Sequence, residues 1–85
     1  DLDAAYVWYE NSRQELGEEF LNAIDNCLSL IQANPLAYPI IYKQIHRTIV
    51  RKFPYGIFYL LKDDAVVVIA CLHAKQNPQR LQNRI

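Results

Sequence analysis

The spacing of the apolar residues changes along the chain, from a helical repeat to a strand-like one. Over residues 2–31 they return every three or four positions, as on one face of an α-helix. The members of this helical stripe are Leu2, Ala5, Tyr6, Trp8, Tyr9, Phe20, Ile24, Cys27, Leu28 and Ile31. After residue 44 the apolar residues form short runs rich in β-branched side chains, which is typical of strands. Helices followed by antiparallel strands predict an α+β fold.

Two helices joined by a short link are predicted before residue 34. The helical pattern fades through residues 11–13, and Gly17 marks a break. The second helix must end near Asn34, because the residue before Pro35 is pushed out of the helical region. We therefore expect a helical hairpin in which each helix has one apolar face that needs a partner.

Three strands are predicted in the second half, after a proline-containing loop at residues 34–42. The strand candidates are residues 45–52, 55–62 and 65–73. Pro54 marks the boundary between the first two, and the polar residues 62–64 fit a hairpin turn. The second and third candidates are apolar at both alternate positions, which predicts central strands covered on both faces.

The length and the cysteines limit what kind of protein this is. A chain of 85 residues has room for one domain, which we take as residues 1–85. Cys27 and Cys71 lie in apolar stretches without a second Cys or a His at ligand spacing, so we expect buried thiols and no metal site. The longest apolar run, Ala65 to Leu72, is too short to span a bilayer. With no secretory signal recognised, the sequence predicts a cytoplasmic protein that needs no cofactor.

The formal net charge is zero, but the charged residues are divided unevenly. Residues 1–42 contain seven acidic side chains and one basic one, Arg13. Residues 43–85 contain eight basic side chains and two acidic ones. A basic half favours an anionic partner, although charges on an exposed sheet face also serve simply to keep it in water. The candidates for binding a target are Arg47, Arg51, Lys52, Lys75, Arg80 and Arg84.

An ordered set of landmarks runs from residue 1 to about residue 78. It comprises Asp1-Leu2, Ala5, Trp8-Tyr9-Glu10, Leu16-Gly17, Phe20-Leu21, Asn34-Pro35, Tyr38-Pro39, Arg47, Lys52-Phe53-Pro54-Tyr55, Ile57-Phe58-Tyr59, Val66-Val67-Val68-Ile69-Ala70 and His73. In this order and spacing the set resembles the RelE/ParE toxin superfamily, also called plasmid stabilisation proteins. The resemblance implies a helical hairpin packed on an antiparallel-rich sheet of three or four strands.

The chain departs from the family pattern at three places. Members usually have a strand before the element that corresponds to Asp1-Leu2, so we expect the first strand to be missing and a sheet edge to be open to another chain, including a second copy. The basic C-terminal signature after His73 is thinned to Lys75, and Leu81 stands where an aromatic often falls. RNA-cleaving members often carry an arginine early in the third strand, where this chain has Gly56.

The resemblance implies the toxin of a type II toxin–antitoxin system, neutralised by a cognate antitoxin that lies across the hairpin and the sheet. Trp8 and Tyr9 can line a groove for a partner's helix, and with Phe20 they are the expected antitoxin contacts. Phe53-Pro54-Tyr55 and Gly56 favour the ParE branch, which poisons DNA gyrase through protein contact.

Two alternatives stay open. One is an mRNA endonuclease, ribosome-dependent or free, in which Arg47, Arg51, His73 and Lys75 supply the base, cation and acid that RNA cleavage needs. Arg47 and Arg51, four apart on a predicted strand, would share a face about 13 Å apart, with His46 beside them on the surface. No pair of acids and no spacing of a nucleophile and its base accompanies them. The other alternative is a degenerate, inactive toxin that still binds a related antitoxin.

Overall fold

The computed structural model describes residues 2–75. Within them lie two helices, one 3-10 turn and four strands. The elements are α1 (Leu2–Ser12), α2 (Leu16–Ala33), a 3-10 helix (Pro35–Ala37), β1 (Ile40–Tyr42), β2 (Ile45–Ile49), β3 (Tyr55–Lys62) and β4 (Ala65–His73). The strands form one antiparallel sheet in the order β1-β2-β3-β4. The predicted α+β fold, with a helical hairpin before the sheet, is confirmed.

The helical hairpin is closed by a carboxylate and a glycine. Glu10 of α1 accepts hydrogen bonds from the backbone N–H groups of Glu15 (3.2 Å) and Gly17 (2.9 Å). These N–H groups at the start of α2 have no partner within the helix, and its positive end favours a carboxylate. Gly17 packs against α1 so closely that a Cβ there would lie 2.8 Å from the carbonyl oxygen of Tyr6. Gly17 thus belongs to the first turn of α2 and is a packing position, not the break that was predicted.

The main core lies between the helical hairpin and one face of the sheet. Its buried members are Ala5, Tyr9, Phe20, Ile24, Cys27, Ile31, Val50, Phe53, Ile57 and Tyr59. The ring of Tyr9 is 5.1 Å from that of Phe20 and 5.0 Å from that of Phe53, measured between centroids. These contacts fix the turn after β2 against both helices, because each ring is buried.

The other face of the sheet carries a second, smaller cluster. Its buried members are Ile45, Phe58, Ala70 and Leu72. In the β2–β3 register Arg47 lies opposite Phe58 and Ile49 opposite Gly56. Because directly opposed residues project to the same side, Arg47 and Ile49 share this face, away from the helices.

Three strand predictions were wrong in detail. β1 lies within the predicted loop, and β2 ends at Ile49 instead of residue 52. The chain turns after β2 because Lys52 takes a positive φ of 73°, which ends an extended strand. β4 is an edge strand among the described residues, with Val68 46% exposed, and is not covered on both faces. The turn at Asp63 and Asp64 is as predicted, and both residues have positive φ.

Within residues 2–75, every helix is too short or too polar to cross a membrane.

Candidate binding surface

Three basic residues of the second half lie at or just after the end of β2. Arg47 projects from the strand on the face opposite the helices, whereas Arg51 and Lys52 lie in the turn that follows. Arg51 and Lys52 line a cleft on the helix side, and Arg47 lines a smaller pocket on the other side. The prediction that Arg47 and Arg51 share one face of a strand is therefore wrong, because β2 ends between them.

The helix-side cleft lies between α2 and β2 and has a volume of about 840 Å³. Its apolar lining comes from both layers: Leu16, Ala23, Cys27, Leu30, Tyr38, Ile49 and Phe53. Its charged lining is mostly basic: Arg13, Arg51 and Lys52, with Glu19 as the acidic member. Arg13 Nη2 lies 2.7 Å from Glu19 Oε2, but both side chains are more than half exposed, so the pair contributes little to stability. Arg51 and Lys52 give this cleft a surplus of positive charge, which suits an anionic partner.

The sheet-face pocket is smaller, about 180 Å³, and lies over Gly56. Its walls are Arg47, Ile49, Pro54, Tyr55, Phe58, Leu72, His73 and Ala74. A Cβ on Gly56 would lie 3.4 Å from the Phe58 ring and 3.6 Å from Arg47 Cγ, which is ordinary contact. Gly56 therefore lines the pocket at a point where a Cβ would fit, and the pocket is large enough for one side chain from elsewhere.

Of the candidate catalytic residues, the structure brings Arg47 and His73 to the sheet-face pocket and leaves Arg51 in the other cleft. The Nδ1 atom of His73 accepts a hydrogen bond from the backbone N–H of Lys75, 3.0 Å away. Its ring also packs edge-on against Tyr55, with the centroids 5.2 Å apart. His73 is thus held at the end of β4, at the pocket rim.

His46, predicted on the surface, is buried on the helix side of the sheet. Its Nδ1 donates a hydrogen bond to the carbonyl oxygen of Tyr38 (2.8 Å). Its ring stacks on Tyr59, with the centroids 5.0 Å apart and the planes 10° apart. His46 therefore fixes the loop before β1 and has no access to a target.

Comparison with protein families identifies the chain. The family described as "ParE toxin of type II toxin-antitoxin system, parDE" matches residues 1–78. The chain belongs to the ParE toxin family. This confirms the predicted resemblance, including the ParE branch, and it makes the chain a type II toxin whose family implies an antitoxin partner. Neither a curated protein nor a solved structure matches the chain significantly.

The three predicted antitoxin contacts of this ParE-family toxin differ in how far they are exposed to solvent. Trp8 is 64% exposed on α1, and the neighbouring Val7 is 53% exposed. Tyr9 and Phe20 are 8% and 0% exposed and belong to the main core. Trp8 can therefore contact an antitoxin directly, while Tyr9 and Phe20 support the surface from beneath.

The two cysteines of the ParE-family chain are free thiols, Cys27 buried and Cys71 half-buried. Burial raises the pKa of Cys71 to about 11, with a further contribution from Cys27. Burial also raises the pKa of Cys27, although a hydrogen bond with Thr48 lowers it in part. Both thiols are protonated at neutral pH, so they act as small apolar core residues. Within residues 2–75 no group of three or more His, Cys, Asp or Glu side chains is placed to hold a metal ion.

The predicted target contacts and the residues that line the cleft and the pocket overlap only in part. Arg80 and Arg84 lie outside the described residues 2–75. Lys75, the last described residue, is exposed. Conversely, Arg13 and Ile49 line the clefts but were not singled out from the sequence. Two sequence features could have pointed to these residues. Arg13 is the one basic residue in an acidic half, and Ile49 is an apolar residue between two arginines.

Proposed function

We propose that this ParE-family toxin acts in the cytoplasm by binding DNA gyrase through the basic surface around the end of β2. We further propose that a cognate antitoxin neutralises it by covering the helical hairpin and this surface. The observation that carries the proposal is the pocket over Gly56. Where RNA-cleaving relatives often place an arginine, this chain has no side chain, and Arg47 is the cation that reaches the pocket.

The separation of the candidate catalytic groups also supports action by binding. RNA cleavage requires a base, an acid and a cation within reach of one phosphate. Arg47 and His73 share the pocket, but Arg51 lines the cleft on the opposite side of β2. Within residues 2–75, this leaves one arginine and one histidine at the pocket, and the Nδ1 of that histidine already accepts a backbone hydrogen bond.

Induction in a bacterial host without antitoxin tests the proposal. Growth, DNA-damage signalling and the 5′ ends of transcripts are followed together, and purified toxin is added to a gyrase supercoiling assay. We expect growth arrest, a DNA-damage response, intact transcripts and inhibited gyrase. New transcript ends inside coding regions, with gyrase unaffected, would make the chain an endonuclease centred on Arg47 and His73. Continued growth would identify an inactive toxin.

Charge reversal locates the gyrase contact. Arg51→Glu is expected to relieve gyrase inhibition, because it reverses an exposed charge at the proposed surface. Lys62→Glu makes the same change in charge at an exposed position beside the β3–β4 turn, away from that surface, and is expected to inhibit as the parent does. Equal effects of the two variants would show that net charge, and not this surface, determines inhibition.

A further inference from the structure

β1 is an outer strand of the sheet, and its outer edge carries exposed apolar residues. Among residues 2–75, β1 has β2 on one side and no strand on the other. Ile40 is 57% exposed, Ile41 is also exposed, and Leu36 in the preceding 3-10 turn is exposed further. These three residues are called the β1 apolar edge.

The backbone of Ile40 directs its polar groups away from β2. Ile40 lies opposite His46 in the β1–β2 register. The Arg47 N–H donates to the Pro39 carbonyl oxygen, 3.0 Å away. A bond between the residues on either side marks an opposed pair as the non-hydrogen-bonded kind of an antiparallel ladder. The N–H and C=O groups of Ile40 therefore face the open edge, where a further strand can pair with them.

Side-chain hydrogen bonds hold the segment before β1 against the sheet. The Tyr59 hydroxyl donates to the Pro35 carbonyl oxygen, 2.5 Å away. The His46 Nδ1 donates to the Tyr38 carbonyl oxygen, 2.8 Å away. Both donors come from buried side chains of the sheet. The segment that presents the β1 apolar edge is thus fixed in advance, so binding there costs little ordering entropy.

The absence of charge along this edge disfavours a charged occupant. Residues 26–42 contain no charged side chain. Lys43 follows in the turn after β1, and Arg47 projects from the face of the sheet opposite the helices. An acidic or basic segment laid along the edge would therefore leave most of its charges without partners. Edge strands are commonly protected from pairing with their own kind by charged side chains, which β1 lacks.

We propose that the β1 apolar edge binds a second copy of the chain, joining two sheets edge to edge about a two-fold axis. The N–H and C=O groups of Ile40 pair with those of Ile40 in the second copy, since a two-fold contact is self-complementary. Leu36 and Ile41 extend the apolar contact beside this pair. Each Lys43 lies three residues past Ile40, in opposite directions, so the two ammonium groups are roughly 20 Å apart by strand rise. That separation exceeds the screening length of about 8 Å at physiological ionic strength, so they do not repel each other appreciably.

The edge is short, so the dimer should be weak. β1 has three residues, and a contact of this size lies below the range of stable interfaces, about 1,200–2,000 Å² in total. We expect a dissociation constant of about 10–100 µM. Because the contact is apolar, physiological salt should change this constant by no more than about twofold. The measurement involves neither gyrase nor antitoxin, so this proposal and the proposed function can fail separately.

Sedimentation velocity of the full chain tests the proposal, at about 5–500 µM protein and in low and physiological salt. Ile40→Pro removes the outward N–H without adding charge, and an edge position tolerates proline. Ile40→Lys adds the kind of charge that blocks edge pairing. Each variant is expected to raise the dissociation constant at least about tenfold. Circular dichroism confirms that each variant is folded.

Val68→Lys is the matched control. Val68 is an exposed apolar residue of β4, the other outer strand among the described residues. This variant adds the same charge and is expected to leave the dissociation constant within about twofold.

Amide hydrogen exchange locates the contact. At high protein concentration, exchange of the Ile40 amide should slow, whereas that of Arg47, already bonded to Pro39, should change little.

The proposal is overturned if the parent chain stays monomeric at about 500 µM or if both Ile40 variants associate as the parent does. It is also overturned if physiological salt abolishes association, because the contact would then arise from charge. Loss of association in Val68→Lys alone would assign the contact to β4 instead.

Discussion

Residues of one type have different roles in this chain according to the face on which they lie. His46 is enclosed by Tyr38 and Tyr59 on the helix side, while His73 stands at the rim of the sheet-face pocket. Arg47 and Arg51 are likewise separated by the end of β2. Sequence alone could not assign these faces, because Ile45 and His46 are adjacent and both buried, one on each side of the sheet.

Gly17→Ala should destabilise the protein. The new Cβ would lie 2.8 Å from the Tyr6 carbonyl oxygen, and backbone cannot move aside as a flexible side chain can. We expect the free energy of unfolding to fall by about 1–3 kcal/mol, the usual range for overpacking, measured by urea denaturation. Gly56→Ala is the control, since its Cβ has ordinary contacts; it should be neutral or slightly stabilising. Equal losses in the two variants would contradict the close helix contact.

The Cys71 thiol should make stability fall at alkaline pH. Burial raises the pKa of this thiol from its ordinary value of 9.0 to about 11 in the folded chain, so the unfolded chain loses this proton first. The contribution of the Cys71 thiol to the free energy of unfolding is fully present below pH 9. It declines as the pH rises toward 11, by at most about 1.4 kcal/mol per pH unit. Denaturation at a series of pH values should show a shallower decline for Cys71→Ala. An unchanged slope would show that other buried groups, such as Tyr59 with its raised pKa, account for the decline.

At the scale of elements, regular repeats were predictable and short or irregular segments were not. The face of α2 could be predicted because Phe20, Ile24, Cys27 and Ile31 recur at helical spacing and are all buried. β1 was missed because it has three residues, and its pairing with β2 depends on distant sequence. The end of β2 depends on the backbone of Lys52, whose positive φ is not favoured by its residue type.

The β3–β4 turn offers an element-scale prediction. Asp63 and Asp64 have φ of 52° and 65°, the type I′ pattern that favours glycine at the second position. Asp64→Gly should therefore raise the free energy of unfolding by about 0.5–1 kcal/mol, because glycine has no Cβ and adopts the left-handed conformation without steric strain. Thermal denaturation would measure it. Asp64→Ala removes the same charge without that relief and should be no more stable than the parent; a gain there would point to charge instead.

The whole molecule has two layers of opposite charge, an acidic helical hairpin and a basic sheet with its connecting turns. The family and the layered fold were accessible from ordered landmarks and from the change of apolar spacing. The helix-side cleft and the sheet-face pocket could not be predicted from the sequence. The cleft depends on the distance in space between α2 and the end of β2, and the pocket involves Gly56, which has no side chain. The candidate surface thus combines charges visible in sequence with a shape visible in the fold.

Antitoxin recognition should depend on Trp8. The residue is 64% exposed, so Trp8→Ala should leave the free energy of unfolding nearly unchanged. Loss of a large aromatic anchor is expected to raise the Kd for the cognate antitoxin about tenfold or more. Isothermal titration calorimetry measures the affinity. Leu36→Ala, at a residue 75% exposed beyond the end of α2, is the control for loss of exposed apolar surface. Unaltered affinity of Trp8→Ala would place the antitoxin elsewhere.

The charged layers also govern how the toxin behaves when no partner is present. Its isoelectric point is near 6.9, so repulsion between molecules vanishes close to neutral pH. The separated layers nevertheless leave opposite charges on the two layers of each molecule, and neighbouring copies can align head to tail. Salt shortens the range of this attraction, to about 8 Å at physiological ionic strength. Purified toxin is therefore expected to be least soluble near pH 7 in dilute buffer and to dissolve again as salt is added.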